Sequence, residues 1–339
     1  MAKRSKVTIQ QIADAAGVSK FAASRALSGK SGVSDETREM IVKTALQLGY
    51  YNNTLRRKMP IAVEGRDAPE EGTIIVLFPD VRYQNEESAY WGPIFEGIAA
   101  GIAERGLHMI TVTEPTGEGL FHVLNPEAII GVITIGEVSG GALLEMNRLG
   151  MPVVMVDHVD PVHRTDLISA DNYGSMHDLM TQLIGKGYRT FQFVGHIAYA
   201  HSFRERWTAY EQALLGFGLQ AQQDSRLIGE EAERLEQWLP AALGEMQLPD
   251  VFVCANDHLA VQLLEACQAL GIRVPEQCAV TGFDDTFPQA CPALTTVRVH
   301  TEWMGRRATD KLMWRIANRS ALPEKVMIYG EPLLRASTR

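Results

Sequence analysis

The 339-residue sequence has few of the residues that build metal sites, disulfides or membrane spans. Its four cysteines lie far apart, and no two stand at the spacing of a pair of metal ligands. No stretch approaches the ~18–20 apolar residues of a membrane span, and no apolar segment follows the basic residues 1–6. We therefore expect a cytoplasmic protein without a signal peptide, in which the cysteines are buried free thiols: Cys254, Cys267, Cys278 and Cys291.

Catalytic signatures are missing as well. The chain has no glycine-rich phosphate loop, no nucleophile elbow and no constellation of metal ligands. The Asp284-Asp285 pair has no His or Cys at ligand spacing, and we expect His258 and His300 to be surface or cleft groups. The sequence thus disfavours a sugar kinase or another enzyme, and we expect neither a cofactor nor a metal.

The net charge of −9 hides two opposite charges along the chain. Residues 1–60 carry eleven Lys/Arg against four Asp/Glu, a net of +7, and the remainder carries 21 against 37, a net of −16. A compact basic segment joined to an acidic body is typical of a protein that binds DNA at one end. A solute-binding receptor would instead need an export signal and would not need a basic head.

The basic segment predicts a helix-turn-helix. Thr8 and Gln11 stand at capping-box spacing, Gly17 supplies a left-handed turn, and Ser19 caps a second helix. A third helix begins at Ser34, and it runs to about residue 49. Small residues at positions 13, 16 and 23 let two helices cross closely, which favours the DNA-binding motif over an ordinary three-helix bundle.

The body predicts an α/β fold. After a linker rich in Pro, Gly and acidic residues at 61–72, short apolar runs alternate with helical stretches, which indicates two lobes of parallel sheet with helices on both faces. Ligands in such folds bind outside the carboxyl ends of the strands. We predict strands at 73–78, 107–112, 128–135, 152–156, 190–194, 250–254 and 278–282, and helices at 91–105, 140–149, 173–186, 203–217 and 257–270.

Several motifs resemble the lactose-repressor/galactose-repressor (LacI/GalR) family over nearly the whole chain. The head carries V-T-I-Q-Q-I-A-D-A-A-G-V-S at 7–19, S-R-A-L-S at 24–28 and V-S-x-x-T-R at 33–38. The body carries A-N-D at 255–257, R-V-P-E at 273–276, G-F-D-D at 282–285, L-T-T-V-R at 294–298, M-G at 304–305 and R-A-S-T at 335–338. Their order and spacing make the resemblance specific.

The resemblance implies a transcriptional regulator, most often a repressor, that binds double-stranded operator DNA as a homodimer or a dimer of dimers in association with the nucleoid. Its body would fold like a periplasmic sugar-binding protein and bind a sugar-like effector between two lobes. We expect a helix-turn-helix domain at 1–50, a hinge and linker at 51–72 and a two-lobed body at 73–339. Lobe 1 would span about 73–170 and 299–326, with a helix near 301–318 returning to it, and lobe 2 about 171–298 and the C-terminal tail.

The resemblance also assigns the DNA contacts. Lys20, Phe21 and Arg25 would reach base edges in the major groove, with Lys20 and Arg25 donating to guanine and Phe21 contacting a thymine methyl. Phosphate contacts position the head without reading sequence, and the serines and threonines among them also suit simple helix capping. The remaining predicted DNA contacts are Thr8, Ser19, Ser24, Ser34, Thr37, Asn53 and Arg57.

Two departures from the family pattern affect the DNA site. The family usually has Thr-Val where this chain has Ala22-Ala23, so a polar contact and some core volume are absent. The hinge at 52–59 places Met59 where a leucine wedges into the minor groove, and Arg56 stands in place of a small residue. The alternative for this segment is a basic, disordered linker.

The effector residues follow from the same resemblance. Arg206 and Asp284 match the arginine and the carboxylate that bind ligand hydroxyls, and Asn256 matches another cleft position. Asn256 also suits a helix cap, the Asp-Asp pair a turn, and Trp91 the core of lobe 1. Further candidates are Tyr90 and Trp91 for stacking on a sugar face, and Asn172 (or Asp171) and Ser202 as polar contacts.

Overall fold

The structure is a computed structural model that describes residues 8–28, 32–34, 37, 40–41, 44, 71–79, 87–113, 128–160, 163–220 and 222–339. The chain divides into two compact units, Met1–Arg66 and Asp67–Arg339. Each unit is described by itself.

The first unit begins with two helices joined by a tight turn. Helix α1 spans Ile9–Ala15 and helix α2 spans Lys20–Ser28. The predicted capping box is present, because the Thr8 hydroxyl accepts from the Gln11 backbone N–H and the Gln11 side chain accepts from that of Thr8. Gly17 has a φ of +65°, which confirms the left-handed turn after α1. The Ser19 hydroxyl accepts from the backbone N–H of Ala22 and so begins α2 as predicted.

Among the described residues of this unit, alanines make up half of the buried core. The described residues at 37, 40, 41 and 44 are helical, and the Ser34 hydroxyl accepts from the backbone N–H of Thr37. The small residues allow α1 and α2 to approach closely, as the sequence predicts, and the outer face of α2 is left to the solvent. The buried apolar residues are Ile12, Ala13, Ala23, Ala26, Leu27 and Ile41.

The second unit alternates strands and helices. The larger sheet contains β1 (Thr73–Leu77), β2 (His108–Val112), β3 (Ile129–Ile135), β4 (Val153–Val156), β5 (Asp166–Ala170) and β10 (Lys325–Ile328). The smaller sheet contains β6 (Phe191–Val194), β7 (Val251–Cys254) and β8 (Ala279–Thr281), and β9 (Thr296–Arg298) pairs with β11 (Glu331–Leu333). The helices are α3 (Trp91–Ala103), α4 (Gly140–Arg148), α5 (Asn172–Gly185), α6 (His201–Gly216), α7 (Leu235–Glu245), α8 (Asp257–Ala269) and α9 (Thr301–Ala317), with short 3₁₀ turns at Ser225–Leu227 and Glu230–Arg234.

Both main sheets are parallel, as predicted. The larger sheet has the order β10-β5-β4-β3-β1-β2, and the smaller one has the order β6-β7-β8. The two faces of β1 are buried in different clusters: Ile74 and Val76 pack with α3, whereas Ile75 and Leu77 pack with the α4 residues around Leu143. Continuous apolar strands covered by helices on both faces are the doubly wound arrangement.

The chain passes between the two sheets three times. It leaves the larger sheet after β5, returns in α9, which packs on α3 and on β3 to β5, and leaves again after β10 to form β11 beside β9. The sequence pattern predicted neither β5 and β9 to β11 nor helix α7. Strand β10 lies at a sheet edge with alternating exposure, so it lacks the continuous apolar run of the other strands.

A buried ion cluster fastens β10 and the preceding loop to this sheet. The Asp166 carboxylate at the start of β5 is 1% exposed and accepts two bonds from Arg315, with Nε at 2.5 Å and Nη2 at 3.0 Å. Arg315 also donates to the carbonyls of Asn318, Ala321 and Leu322. One guanidinium therefore satisfies a buried carboxylate and closes the connection from α9 to β10.

Helices α3 and α9 cross at unusually close range. A Cβ built on Gly305 would collide with the Ile94 carbonyl oxygen and lie 2.8 Å from the Ile98 nitrogen. A Cβ on Gly97 would likewise meet the Glu302 backbone of the facing helix. Because backbone atoms cannot rotate away, only glycine permits this crossing.

We expect Gly305→Ala to destabilise the second unit by about 2–3 kcal/mol, because the added methyl must push α3 and α9 apart. The control is Gly185→Ala at the exposed end of α5, where a Cβ would meet nothing within 4 Å, and we expect it to stay within about 0.5 kcal/mol of wild type. Urea denaturation measures both variants. Equal stability of the two variants would contradict the close crossing.

Candidate functional site

The carboxyl ends of β5, β7 and β8 bring the predicted polar residues together. Asn172 opens α5 directly after β5, Ala255 follows β7, and Asp284 follows β8. Arg206 lies in the second turn of α6 and reaches all three of them. In parallel sheets this edge is where ligands bind.

Arg206 uses each of its side-chain nitrogens in a bond to a different element. Its Nε donates to Asn172 Oδ1 at 2.9 Å, its Nη1 to the Ala255 carbonyl at 2.6 Å, and its Nη2 to Asp284 Oδ1 at 3.0 Å. The guanidinium carbon also lies 3.8 Å from the centroid of the Phe283 ring. The residue is 2% exposed. Such a network holds a buried cation in one orientation.

Asp284 is held in a backbone conformation that L-residues rarely adopt, with a φ of +107°. Its backbone N–H donates to the Val297 carbonyl and its own carbonyl accepts from the Val299 N–H, so strand β9 keeps it there. Burial raises the pKa of its carboxyl to about 7, against the lowering effect of the Arg206 guanidinium.

Lobe 1, the part of the body built on the larger sheet, contributes a second pair to the site. The Tyr90 hydroxyl, just before α3, donates to Asp157 Oδ2 at 2.9 Å, and the Tyr90 ring packs edge-on against Trp91. Burial raises the pKa of Asp157, and Arg206 opposes that effect from the other lobe. Asp284 in turn contributes to the raised pKa of the Tyr90 hydroxyl, after burial and Asp157. The two pairs thus lie within electrostatic range across the cleft.

Asp157 is a site residue that the sequence analysis does not predict. Its position carries a signal, because Asp157 is the first residue after the buried strand β4, and Asp284 lies three residues after the end of β8. Like Asp284 it has a positive φ, of +55°, and its backbone N–H donates to the Ile168 carbonyl. The resemblance predicts Asp284 as a site residue, whereas Asp157 is not among the predicted residues.

The neighbouring carboxylates have different partners. Asp285 pairs with Arg298 at 2.9 Å and with Arg335 at 2.8 Å, which ties the loop after β8 to β9 and to the C-terminal segment. Asp257 accepts from the Thr296 hydroxyl at 2.6 Å, and burial raises its pKa to about 6. Both residues fasten the ends of strands rather than line the cleft with free acceptors.

Three predicted residues occupy more ordinary positions. Asn256 caps α8 by accepting from the Leu259 N–H at 3.0 Å, which was the alternative role. Ser202 is half-buried near the start of α6, one turn before Arg206. Trp91 is half-buried and packs against the hydrophobic core.

The expectation of buried thiols needs one correction. Cys254, Cys267 and Cys278 are buried and free, but Cys291 is only half-buried. It lies in the loop between β8 and β9, and its neighbours Ala290, Pro292 and Ala293 are exposed. A thiol in a surface loop is reached by solvent more easily than one packed under a helix.

The outer face of α2 carries the predicted base-reading side chains. Lys20, Phe21 and Ser24 are exposed, and Arg25 is half-buried with its guanidinium carbon 5.3 Å from the Phe21 ring centroid. The predicted phosphate contacts Thr8, Ser19, Ser34 and Thr37 all take part in helix-capping hydrogen bonds. Asn53, Arg57 and Met59 lie outside the described residues.

In the described part of the chain, no three His, Cys, Asp or Glu side chains come together to hold a metal ion. Among the described helices, none is long and apolar enough to span a membrane.

Comparison with known proteins finds a separate family match within each unit. Residues 8–53 match the family described as bacterial regulatory proteins, lacI family, and residues 180–338 match a periplasmic binding protein-like domain. The HTH-type transcriptional repressor MelR of Bacillus subtilis is 29% identical over 342 residues, which cover 98% of this chain and 97% of that protein.

Solved structures share the fold over the same length. A complex of the transcriptional regulator CelR with cellobiose has a TM-score of 0.67 at 24% identity and covers 98% of this chain and 100% of its own. The lac repressor dimer bound to operator and the anti-inducer ONPF has a TM-score of 0.63 at 20% identity and covers 98% and 99%. With a lacI-type head, a periplasmic-binding-protein-like body and similarity that spans both, the chain belongs to the LacI family of DNA-binding transcriptional regulators.

Proposed function

We propose that this regulator is a repressor whose affinity for operator DNA is controlled by an uncharged, hydroxyl-rich effector bound between the two lobes. The observation that carries the proposal is one chain that joins a helix-turn-helix to a cleft built around Arg206 and Asp284. A DNA-reading helix and a polar ligand cleft in one polypeptide can form a switch, because a ligand that binds the free and the DNA-bound protein with different affinities changes the affinity for DNA.

The head supplies both classes of DNA contact. Lys20, Phe21 and Arg25 on the outer face of α2 read base edges, and the capping residues at the helix starts hold phosphates. A capping hydroxyl keeps acceptor and donor capacity beyond its helix bond, so the two roles coexist. The residues that we assign to phosphate contacts and to the hinge are Thr8, Ser19, Ser24, Ser34, Thr37, Asn53, Arg57 and Met59.

The charge of the cleft favours an uncharged effector. Arg206 already bonds to Asn172, Ala255 and Asp284, and its charge is balanced by Asp284. Asp157 adds a carboxylate on the opposite lobe. A sugar phosphate or a sugar acid would bring an anion next to two carboxylates, whereas hydroxyls can donate to them. The cellobiose of the CelR complex is a sugar of this uncharged kind.

The effector would act by changing the angle between the lobes. Asp284, Arg206 and Asn172 would hold the ligand from lobe 2, and Tyr90, Trp91 and Asp157 from lobe 1. A ligand shifts operator affinity only as far as it binds one lobe arrangement better than the other. Contacts divided between two lobes provide that difference, because they are complete at one angle only. Asn256 and Ser202 are secondary members of this set.

We further propose that the protein acts as a homodimer or a dimer of dimers, in the cytoplasm and associated with the nucleoid. The DNA-binding function supports a dimer, because a helix-turn-helix dimer reads two half-sites about one helical turn apart. The lac repressor similar to it was solved as a dimer bound to its operator.

The DNA-binding proposal predicts a salt-dependent, sequence-specific complex. Arg25→Ala should weaken binding to the selected duplex by about 1–3 kcal/mol and relax the preference at one base pair. Fluorescence anisotropy with labelled duplexes at several salt concentrations measures this, with Gln10→Ala on the exposed face of α1 as control. An equal loss on every sequence, with a smaller salt slope, would identify Arg25 as a phosphate contact instead.

The effector proposal predicts discrimination within matched ligand pairs. Each set compares an uncharged sugar with its anionic derivatives, for example glucose with glucuronate and glucose 6-phosphate. The same comparison is made for galactose and for disaccharides of each sugar, so that only the anionic group varies. We expect thermal stabilisation by the uncharged member of at least one pair and none by its anionic partners. Tyr90→Phe, which removes the hydroxyl bonded to Asp157, should weaken that response. Stronger stabilisation by an anionic member would overturn the proposal.

The Arg206–Asp284 pair predicts a non-additive mutant cycle. Arg206→Met leaves a buried carboxylate without its cation and should cost about 3–5 kcal/mol. Adding Asp284→Asn, which keeps the side-chain shape and tolerates a positive φ, should recover at least about 1 kcal/mol. Arg204→Met on the exposed face of the same helix is the control. Simple additivity in urea denaturation would contradict direct coupling.

A further inference from the structure

Phe21 is an apolar side chain on the outside of the head. It is 70% exposed, whereas Ala23, Ala26 and Leu27 of the same helix are buried. Its place near the start of α2 lies on the face that carries Lys20 and Ser24. An exposed ring on the face that carries the predicted base-reading residues is available for an apolar contact with a base.

Phe21 is joined to Arg25 one helical turn later. The guanidinium carbon of Arg25 lies 5.3 Å from the Phe21 ring centroid, within the range of a cation–π contact. On another side, the guanidinium lies near Gly32, where a built Cβ would lie 3.4 Å from Nε and from Nη2. Gly32 has a φ of +101°, which a side chain would disfavour. The ring lies beside the guanidinium, and the bare glycine leaves room for it.

We propose that Phe21 and Arg25 read two adjacent base pairs as one unit, with Arg25 on a guanine and Phe21 on the methyl group of a neighbouring thymine. This proposal rests on the proposed DNA-binding function. Guanine offers O6 and N7 to an arginine, and only thymine among the four bases carries a C5 methyl for an apolar contact. The Arg25 guanidinium carbon lies 5.3 Å from the Phe21 ring centroid, so the two side chains are close enough to reach neighbouring base pairs. Neighbouring base pairs are about 3.4 Å apart along the duplex.

The chemistry of the pair makes a distinctive prediction about modified bases. Phe21 recognises a methyl group and makes no hydrogen bond, so deoxyuridine should fail in place of thymine. A 5-methylcytosine carries the same methyl at the same place in the groove, so it should restore the contact that plain cytosine lacks. Because the ring also positions Arg25, loss of the ring should weaken the reading of guanine as well.

The test begins with selection of binding sites from a randomised duplex pool by the full chain at fixed salt. We expect a guanine next to a thymine in each selected half-site. In the selected duplex, deoxyuridine in place of that thymine should lower affinity about three- to tenfold, the effect of losing one buried methyl. Phe21→Ala should bind the thymine and deoxyuridine duplexes equally and should lose less than wild type when the guanine becomes 7-deazaguanine. Gln10→Ala should behave as wild type.

The outcomes separate this proposal from the DNA-binding function. A selected site without adjacent guanine and thymine, or a wild-type protein indifferent to deoxyuridine, would overturn paired reading while leaving DNA binding intact. A deoxyuridine penalty that persists in Phe21→Ala would assign the methyl to another residue and also overturn it. Failure to select any sequence would overturn both. Because Phe21 is 70% exposed, its substitution removes no core contact that would unfold the head.

Discussion

The buried charge of Arg206 is the constraint on which the cleft depends. A guanidinium that is 2% exposed must have every donor satisfied and its charge balanced. Here the three acceptors come from the start of α5, the end of β7 and the loop after β8. The segments that follow β5, β7 and β8 therefore converge on this one cation. Asp284 has a φ of +107°, and in this conformation its carboxylate accepts from Arg206.

The same interaction connects the fold to regulation. A ligand that enters the cleft meets a network that is already neutral and bonded, so it gains most by adding donors to Asp284 and Asp157 from between the lobes. The close crossing of α3 and α9 and the Asp166–Arg315 cluster stiffen lobe 1. A stiff lobe can pass a change in the angle between the lobes on to the rest of the protein, because packed elements move as rigid bodies rather than deform continuously.

Much of this could be predicted from local sequence signals. The capping pair Thr8 and Gln11 and the turn at Gly17 are short-range patterns with one physical meaning, and each is present. Apolar runs in parallel strands are equally plain, and the strands from β1 to β4 and β6 to β8 lie where the sequence indicated. Strand β5 was missed because it starts at Asp166, whose burial depends on an arginine 149 residues away.

The pairings of the carboxylates in the site depend on tertiary context. Asp284, which the resemblance predicts as a site residue, faces Arg206, while the adjacent Asp285 pairs with Arg298 and Arg335. Asp157 gains its role only because Tyr90, 67 residues earlier, donates to it. Pairings over such separations leave no periodic trace in the sequence.

Coupling between the cleft and the head is tested most directly by reciprocal linkage. The uncharged sugar that gives the largest thermal shift is titrated with and without saturating operator duplex, and the operator is titrated with and without saturating sugar, at one salt concentration. Linkage predicts that the two ratios of dissociation constants agree and differ from one by at least about fivefold. A sugar affinity that is the same on the free and the operator-bound protein would contradict a ligand-controlled regulator.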